Sequence, residues 1–113
     1  MEIRRTEENG VKILELEGEI DLHASPALRE KLQELVAEKA PAALVDFSAV
    51  KYIDSSGLAT LVEYVREAKA FNGRFALFGL QPKVKMVFEL VRLNELFTIA
   101  DDKAQAIAAV QAS

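Results

Sequence analysis

The residues whose types and spacing could do chemistry gather in one run, Asp54-Ser55-Ser56-Gly57, with His23, Asp21 and Asp46 as the other reactive groups of interest. The run lies between an apolar stretch ending at Ile53 and a helical apolar pattern beginning at Leu58, so two hydroxyls stand where a strand gives way to a helix. The first amides of a helix lack intrahelical partners and carry the positive end of the macrodipole. Such a start favours a Ser or Asp cap and also accepts added negative charge, so a phosphate placed there should be held by those amides. On residue type alone, either serine reads as a cap.

Catalytic readings of these residues are thin. His23 is the only histidine and cysteine is absent, which removes thiolate nucleophiles, disulfides and zinc-thiolate sites together. A Ser-His-acid triad would require His23 beside Ser55 or Ser56 with a carboxylate behind it. The pairs Asp46 with Asp54, or Asp21 with Asp54, could hold magnesium or act as acid and base, yet no phosphate-binding loop accompanies them. No Gly-Lys phosphate loop, dinucleotide fingerprint or Gly-x-Ser-x-Gly elbow occurs. The inventory describes a substrate or binding module with no catalytic residue, cofactor or metal.

With 113 residues, half of them hydrophobic, the chain is expected to form one domain over 1–113. A net charge of -4, with Lys and Arg interleaved with Glu as in Arg29-Glu30-Lys31, argues against direct nucleic-acid binding. No apolar run reaches about 18 residues, and the N-terminus lacks the apolar segment of a signal peptide, so a cytoplasmic protein without membrane insertion is expected.

The elements that must position the serines follow from local pattern. Asn9-Gly10 predicts a tight hairpin between strands at residues 3–8 and 11–18, and Val11, Ile13, Leu14 and Leu16 mix two alternation phases, as in a strand buried on both faces. Ser25-Pro26 reads as cap and first turn of a helix reaching about Lys39, with Leu28, Leu32, Leu35 and Val36 as its stripe. A buried strand over 42–47 leads to the serine loop, and the following helix runs to about Phe71 before Asn72-Gly73. Another strand spans 74–79. Gln81-Pro82 opens a helix with an unusually broad apolar arc, Val84, Val87, Phe88 and Val91 widened by Met86, Leu90 and Leu93, which reads first as a face covered by sheet and neighbouring helix and second as an exposed apolar edge used by a partner. A short strand over 97–100 precedes a helix with an Asp102/Gln105 capping box, ending near Ala112. Alternation of helices with buried strands predicts an α/β sandwich: a mixed β-sheet of four or five strands, edged by the N-terminal hairpin, with helices chiefly on one side.

Four stretches together carry a resemblance covering essentially the whole chain: Gly18-Glu19-Ile20-Asp21-Leu22, Ser25-Pro26-Ala27-Leu28, Val45-Asp46-Phe47-Ser48, and Tyr52-Ile53-Asp54-Ser55-Ser56-Gly57-Leu58. The sequence resembles the STAS domain family, and within it the bacterial anti-sigma factor antagonists. The resemblance implies a partner switch. The unmodified chain binds an anti-sigma factor and so releases a sigma factor; the anti-sigma factor is itself a serine kinase that phosphorylates the antagonist, and a serine phosphatase reverses the modification. It also implies that Ser56 is the phosphoacceptor, that Asp54, Ser55 and Gly57 shape the loop, that Asp21 is a nearby interface or acceptor-orienting carboxylate, and that Leu22, His23, Tyr52, Leu58 and Thr60 join the partner surface. Members of the same family also serve as scaffold subunits of membrane transporters or stress-sensing complexes without sigma-factor control, which is the alternative. A hydrolase using Ser56 and His23 is a third reading.

Overall fold

The computed structural model describes residues 1–111. Its elements are β1 (Glu2–Glu8), β2 (Val11–Ile20), α1 (Ser25–Ala37), β3 (Ala42–Ile53), α2 (Ser55–Ala68), β4 (Arg74–Phe78), α3 (Pro82–Leu90), β5 (Thr98–Ala100) and α4 (Lys103–Gln111), with short 3-10 turns at Lys69–Phe71 and Leu93–Glu95. The expected end of the last helix near Ala112 lies outside the described residues. The hairpin forms as expected, with Asn9 at φ 54° and Gly10 at φ 78°, the left-handed pair that a tight two-residue turn requires.

The five strands lie in chain order, β1-β2-β3-β4-β5, antiparallel at the hairpin and parallel thereafter. That order dictates where the helices go. Each parallel connection steps one strand in the same direction, and right-handed crossovers then put α1, α2 and α3 on the same face. The core beneath them contains Leu14, Leu16, Ile20, Leu28, Leu32, Leu61, Phe47 and Phe88. After β5 the chain returns over the opposite face, where α4 places Ala106, Ile107 and Val110 on Val11, Ile13, Leu44 and Phe78. The mixed phases of β2 are thereby explained: Val11 and Ile13 face α4, whereas Leu14 and Leu16 face the other core.

β3 is longer than the apolar run 42–47 suggests. Its pairing with β2 slips twice, between Glu15 and Glu17 and between Gly18 and Glu19, and each slip adds a residue on the β3 side. Core positions in β3 therefore fall at Val45, Phe47, Val50 and Ile53, a spacing that changes from two to three. β4 pairs with β3 only as far as Phe78 opposite Asp46, so β2 and β3 run on together beyond it and carry their C-terminal ends clear of the rest of the sheet.

Three expectations need correction. α1 is not capped by Ser25: the cap position is Ala24, without a side-chain bond, and the turn before it is held by Asp21, whose Oδ1 accepts from His23 N at 3.0 Å and Ala24 N at 2.9 Å. α2 begins at Ser55, earlier than its apolar pattern, because Asp54 supplies the cap. The broad arc of α3 is only partly covered; Val84 and Phe88 are buried, but Met86, Leu90 and Val91 remain exposed, Leu90 by 76%. Arg92 turns left-handed at φ 60°, so Leu93 belongs to the next turn and not to the helix. No helix of the described residues is long and apolar enough to cross a membrane.

Candidate functional site

Because β2 and β3 are parallel neighbours, their C-terminal loops are side by side, and the backbone joins them directly through Asp54 N–H to Ile20 O at 3.1 Å. Gly57 makes that approach feasible. A Cβ there would stand 2.6 Å from Ile20 Cγ2, 2.8 Å from Ile53 Cγ1 and 3.1 Å from Ile20 O, so only glycine lets the first turn of α2 sit against both strand ends.

Asp54 is extended, at φ -112° and ψ -174°, and its Oδ1 receives Ser56 N–H at 2.9 Å, Gly57 N–H at 3.2 Å and the Ser56 hydroxyl at 2.5 Å. The Ser56 hydroxyl bond, followed by the backbone amides of Gly57, Ser56 and Leu22, holds the carboxyl below its ordinary range against the opposing effect of desolvation. Asp54 is therefore an ionised acceptor. The amides that the sequence offers to a phosphate are already occupied by this carboxylate, which corrects the expectation of a vacant anion cradle. A phosphate on Ser56 would meet a charge of its own sign.

Ser56 is half-buried and also touches Ser25 of α1, Oγ to Oγ, at 2.8 Å. Ser25 Oγ lies 2.8 Å from the Asp21 carbonyl. Asp21 thus reaches the acceptor through its backbone and Ser25, while its carboxylate serves its own turn. Further along the same pair of helices, Thr60 Oγ1 donates to Ser56 O at 2.9 Å, Arg29 approaches Thr60 Oγ1 at 3.4 Å and pairs with Glu63 at 3.1 Å, and Gln33 donates to Glu67 at 2.7 Å. Polar rungs at one-turn spacing lock α1 to α2, and the rung nearest the loop is the serine pair.

Around the loop, Leu22 is 71% exposed and Tyr52 is 49% exposed, with His23 and Ser55 also at the surface. Large apolar groups in water at the mouth of a loop suit a binding face. Leu58 and Thr60, expected on that face, lie beneath it; Thr60 is only 1% exposed because its hydroxyl is turned to the α2 backbone. Ser55 also borders an open groove of about 850 Å³ between α2 and the end of α3, floored by Leu58, Val62, Val91 and Leu93. An exposed apolar edge on α3 is the second of the two readings its sequence allows, but a groove between that edge and α2 is not legible there, because it depends on how the two helices pack.

The other chemistries do not assemble. Ser56 gives its proton to Asp54, and the His23 imidazole has no hydrogen-bond partner among the described residues. Asp46 turns to Ser48 N–H at 2.8 Å, back along β3 from the loop. Among the described residues no three acidic or imidazole groups gather as a metal site.

Residues 2–106 match the sequence model of the STAS domain. An anti-sigma-B factor antagonist from Bacillus subtilis is 31% identical over 93 residues, spanning 82% of this chain and 84% of that protein. The crystal structure of an anti-sigma factor antagonist from Mycobacterium paratuberculosis superposes with a TM-score of 0.90 at 27% identity, covering 98% of this chain and 94% of the other. The Bacillus cell fate determinant SpoIIAA in its phosphorylated form superposes with a TM-score of 0.73 at 25% identity, covering 96% of this chain and 99% of that one.

Proposed function

The chain belongs to the STAS domain family, and from that premise we propose that it is an anti-sigma factor antagonist switched by phosphorylation of Ser56. Its similar relatives carry the names of antagonists and not of enzymes. The observation that carries the reading is the 2.5 Å bond from the Ser56 hydroxyl to an ionised Asp54 at the tip of the β2–β3 extension.

In the unmodified state the loop offers Leu22, His23, Tyr52 and Ser55 to an anti-sigma factor, with Asp54 and Gly57 fixing the shape of the turn. The anti-sigma factor is the kinase and supplies a nucleoside triphosphate. Ser56 Oγ attacks the terminal phosphorus; the Oγ–P bond forms, the bond from that phosphorus to the bridging oxygen breaks, and nucleoside diphosphate leaves. The hydroxyl proton passes along its hydrogen bond to the Asp54 carboxylate and then to solvent. The new group carries about -1.5 to -2 charge, and Asp54 repels it from the helix amides, so it is driven outward into the partner surface. Binding is lost through charge repulsion and bulk while the core beneath is untouched. A serine phosphatase restores the hydroxyl by hydrolysis, and the antagonist again frees its sigma factor by occupying the anti-sigma factor.

Incubation with the anti-sigma factor from the same cell and ATP is expected to add one phosphoryl group, mapped to Ser56 by intact-mass and peptide mass spectrometry and absent from Ser56→Ala. Modification at Ser55, or none with an active kinase, would overturn the assignment.

A further inference from the structure

We propose that Ser25 is a positioning residue for phosphoryl transfer to Ser56, fixing the direction from which the hydroxyl oxygen can attack; the proposal rests on Ser56 being the acceptor. Four oxygens form a chain of three short contacts: the Asp21 carbonyl to Ser25 Oγ at 2.8 Å, Ser25 Oγ to Ser56 Oγ at 2.8 Å, and Ser56 Oγ to Asp54 Oδ1 at 2.5 Å. With Asp54 ionised, the two serines supply two protons for these three contacts.

Their placement follows from charge and distance. The Ser56 proton belongs to Asp54, since a hydroxyl–carboxylate bond is charge-assisted and this is the shortest contact of the three. For the Ser25 proton two acceptors compete. The Asp21 carbonyl takes Ser25 N–H at 2.9 Å and lies 2.8 Å from the Ser25 hydroxyl, while Ala24 N–H is closer to Asp21 Oδ1, at 2.9 Å, than to that carbonyl. The Ser25 proton thus has two acceptors at 2.8 Å, the Asp21 carbonyl and Ser56 Oγ, and the hydroxyl rotates between them. With the proton turned to Ser56, the chain runs from Ser25 to Ser56 to Asp54.

A serine oxygen has one proton and two lone pairs. In Ser56 the proton is aimed at Asp54, and when the Ser25 proton turns to Ser56 it holds one lone pair, which leaves a single electron pair to form the bond to phosphorus. Ser25 is 3% exposed and fixed on α1, so it holds the Ser56 rotamer without itself reaching the partner surface. When the Oγ–P bond forms and the Ser56 proton has left through Asp54, the Ser25 O–H remains beside the new phosphoester.

The test is single-turnover phosphorylation by the anti-sigma factor kinase with saturating ATP, comparing wild type with Ser25→Ala, Ser25→Cys and Ser25→Thr, with thermal unfolding of each variant measured alongside. Losing the orientation of a reacting atom lowers its rate by about tenfold to a hundredfold. Ser25→Ala and Ser25→Cys, which keep the fold but lack a strong donor, should lose about tenfold or more in the maximal rate with the half-saturating concentration of antagonist unchanged. Ser25→Thr, which keeps the hydroxyl, should recover most of the rate. Equal maximal rates for wild type and Ser25→Ala would overturn the role of Ser25. So would rates that follow thermal stability regardless of the hydroxyl. A wild-type protein that takes no phosphate on Ser56 would instead overturn the phosphoacceptor assignment on which the proposal rests.

Discussion

Replacing Gly57 with alanine tests whether the loop is built by close contact. The added Cβ would lie 2.6 Å from Ile20 Cγ2 and 2.8 Å from Ile53 Cγ1, against about 3.5–4.0 Å for carbon atoms in ordinary contact. Both isoleucines are buried and belong to the same core cluster, so they have little room to withdraw; the first turn of α2 must lift by about 1 Å instead. Overpacking of this kind destabilises by about 1–3 kcal/mol, offset by roughly 0.5–1 kcal/mol gained when alanine replaces glycine in helical backbone. Two contacts under 3 Å put the overpacking in the upper half of that range, so the net loss is about 1–2.5 kcal/mol, seen as a drop of roughly 5–10 °C in Tm and a lower urea midpoint at unchanged m-value. Phosphorylation of Ser56 should slow in the same variant, because the lift separates its hydroxyl from Asp54. A Gly57→Ala protein as stable as wild type, or more so, would refute the packing argument.

Other outcomes follow from particular groups. The Tyr64 hydroxyl is buried and has no hydrogen-bond partner among the described residues. Tyr64→Phe should therefore leave stability unchanged or raise it by up to about 1 kcal/mol, and a loss beyond that in urea unfolding would reveal a partner. Burial pushes the Tyr64 phenol up to about 12, so in Tyr52→Phe the single remaining tyrosine should titrate near that value by ultraviolet absorbance, not near 10. The Asp54 carboxyl is held below its unfolded value chiefly by the Ser56 hydroxyl. Its contribution is thus present above the unfolded value, about pH 4, and is lost as the pH falls through the folded one. The stability gap between wild type and Asp54→Asn should narrow below about pH 4; a gap constant from neutral to acid pH would contradict the ionised cap.

Much of the fold is legible because local chemistry and tertiary packing agree: Asn9-Gly10 can hardly be other than a hairpin turn, and the stripe at Leu28, Leu32 and Leu35 reads directly as a buried helix face. What is not legible depends on register. The change of spacing from Phe47 to Val50 to Ile53 breaks the two-residue alternation, and only pairing with β2 explains it. Ser25 shows the same limit at the site. Its type and its following proline fit a cap, yet the α1–α2 packing brings its hydroxyl to Ser56 while Asp21 holds the turn. The α3 residues Met86, Leu90 and Val91 fit a core arc by period, but this short helix covers the sheet only through the face carrying Val84 and Phe88.

The central claim is that one phosphate on Ser56 turns a binding surface off without disturbing the fold. Calorimetric titration of the anti-sigma factor with the unphosphorylated and the stoichiometrically Ser56-phosphorylated protein tests it most directly. Like charges forced together at an interface cost several kcal/mol, so the phosphorylated form should bind about a hundredfold more weakly or worse, with its circular dichroism unchanged. Equal affinities for the two forms would contradict the account.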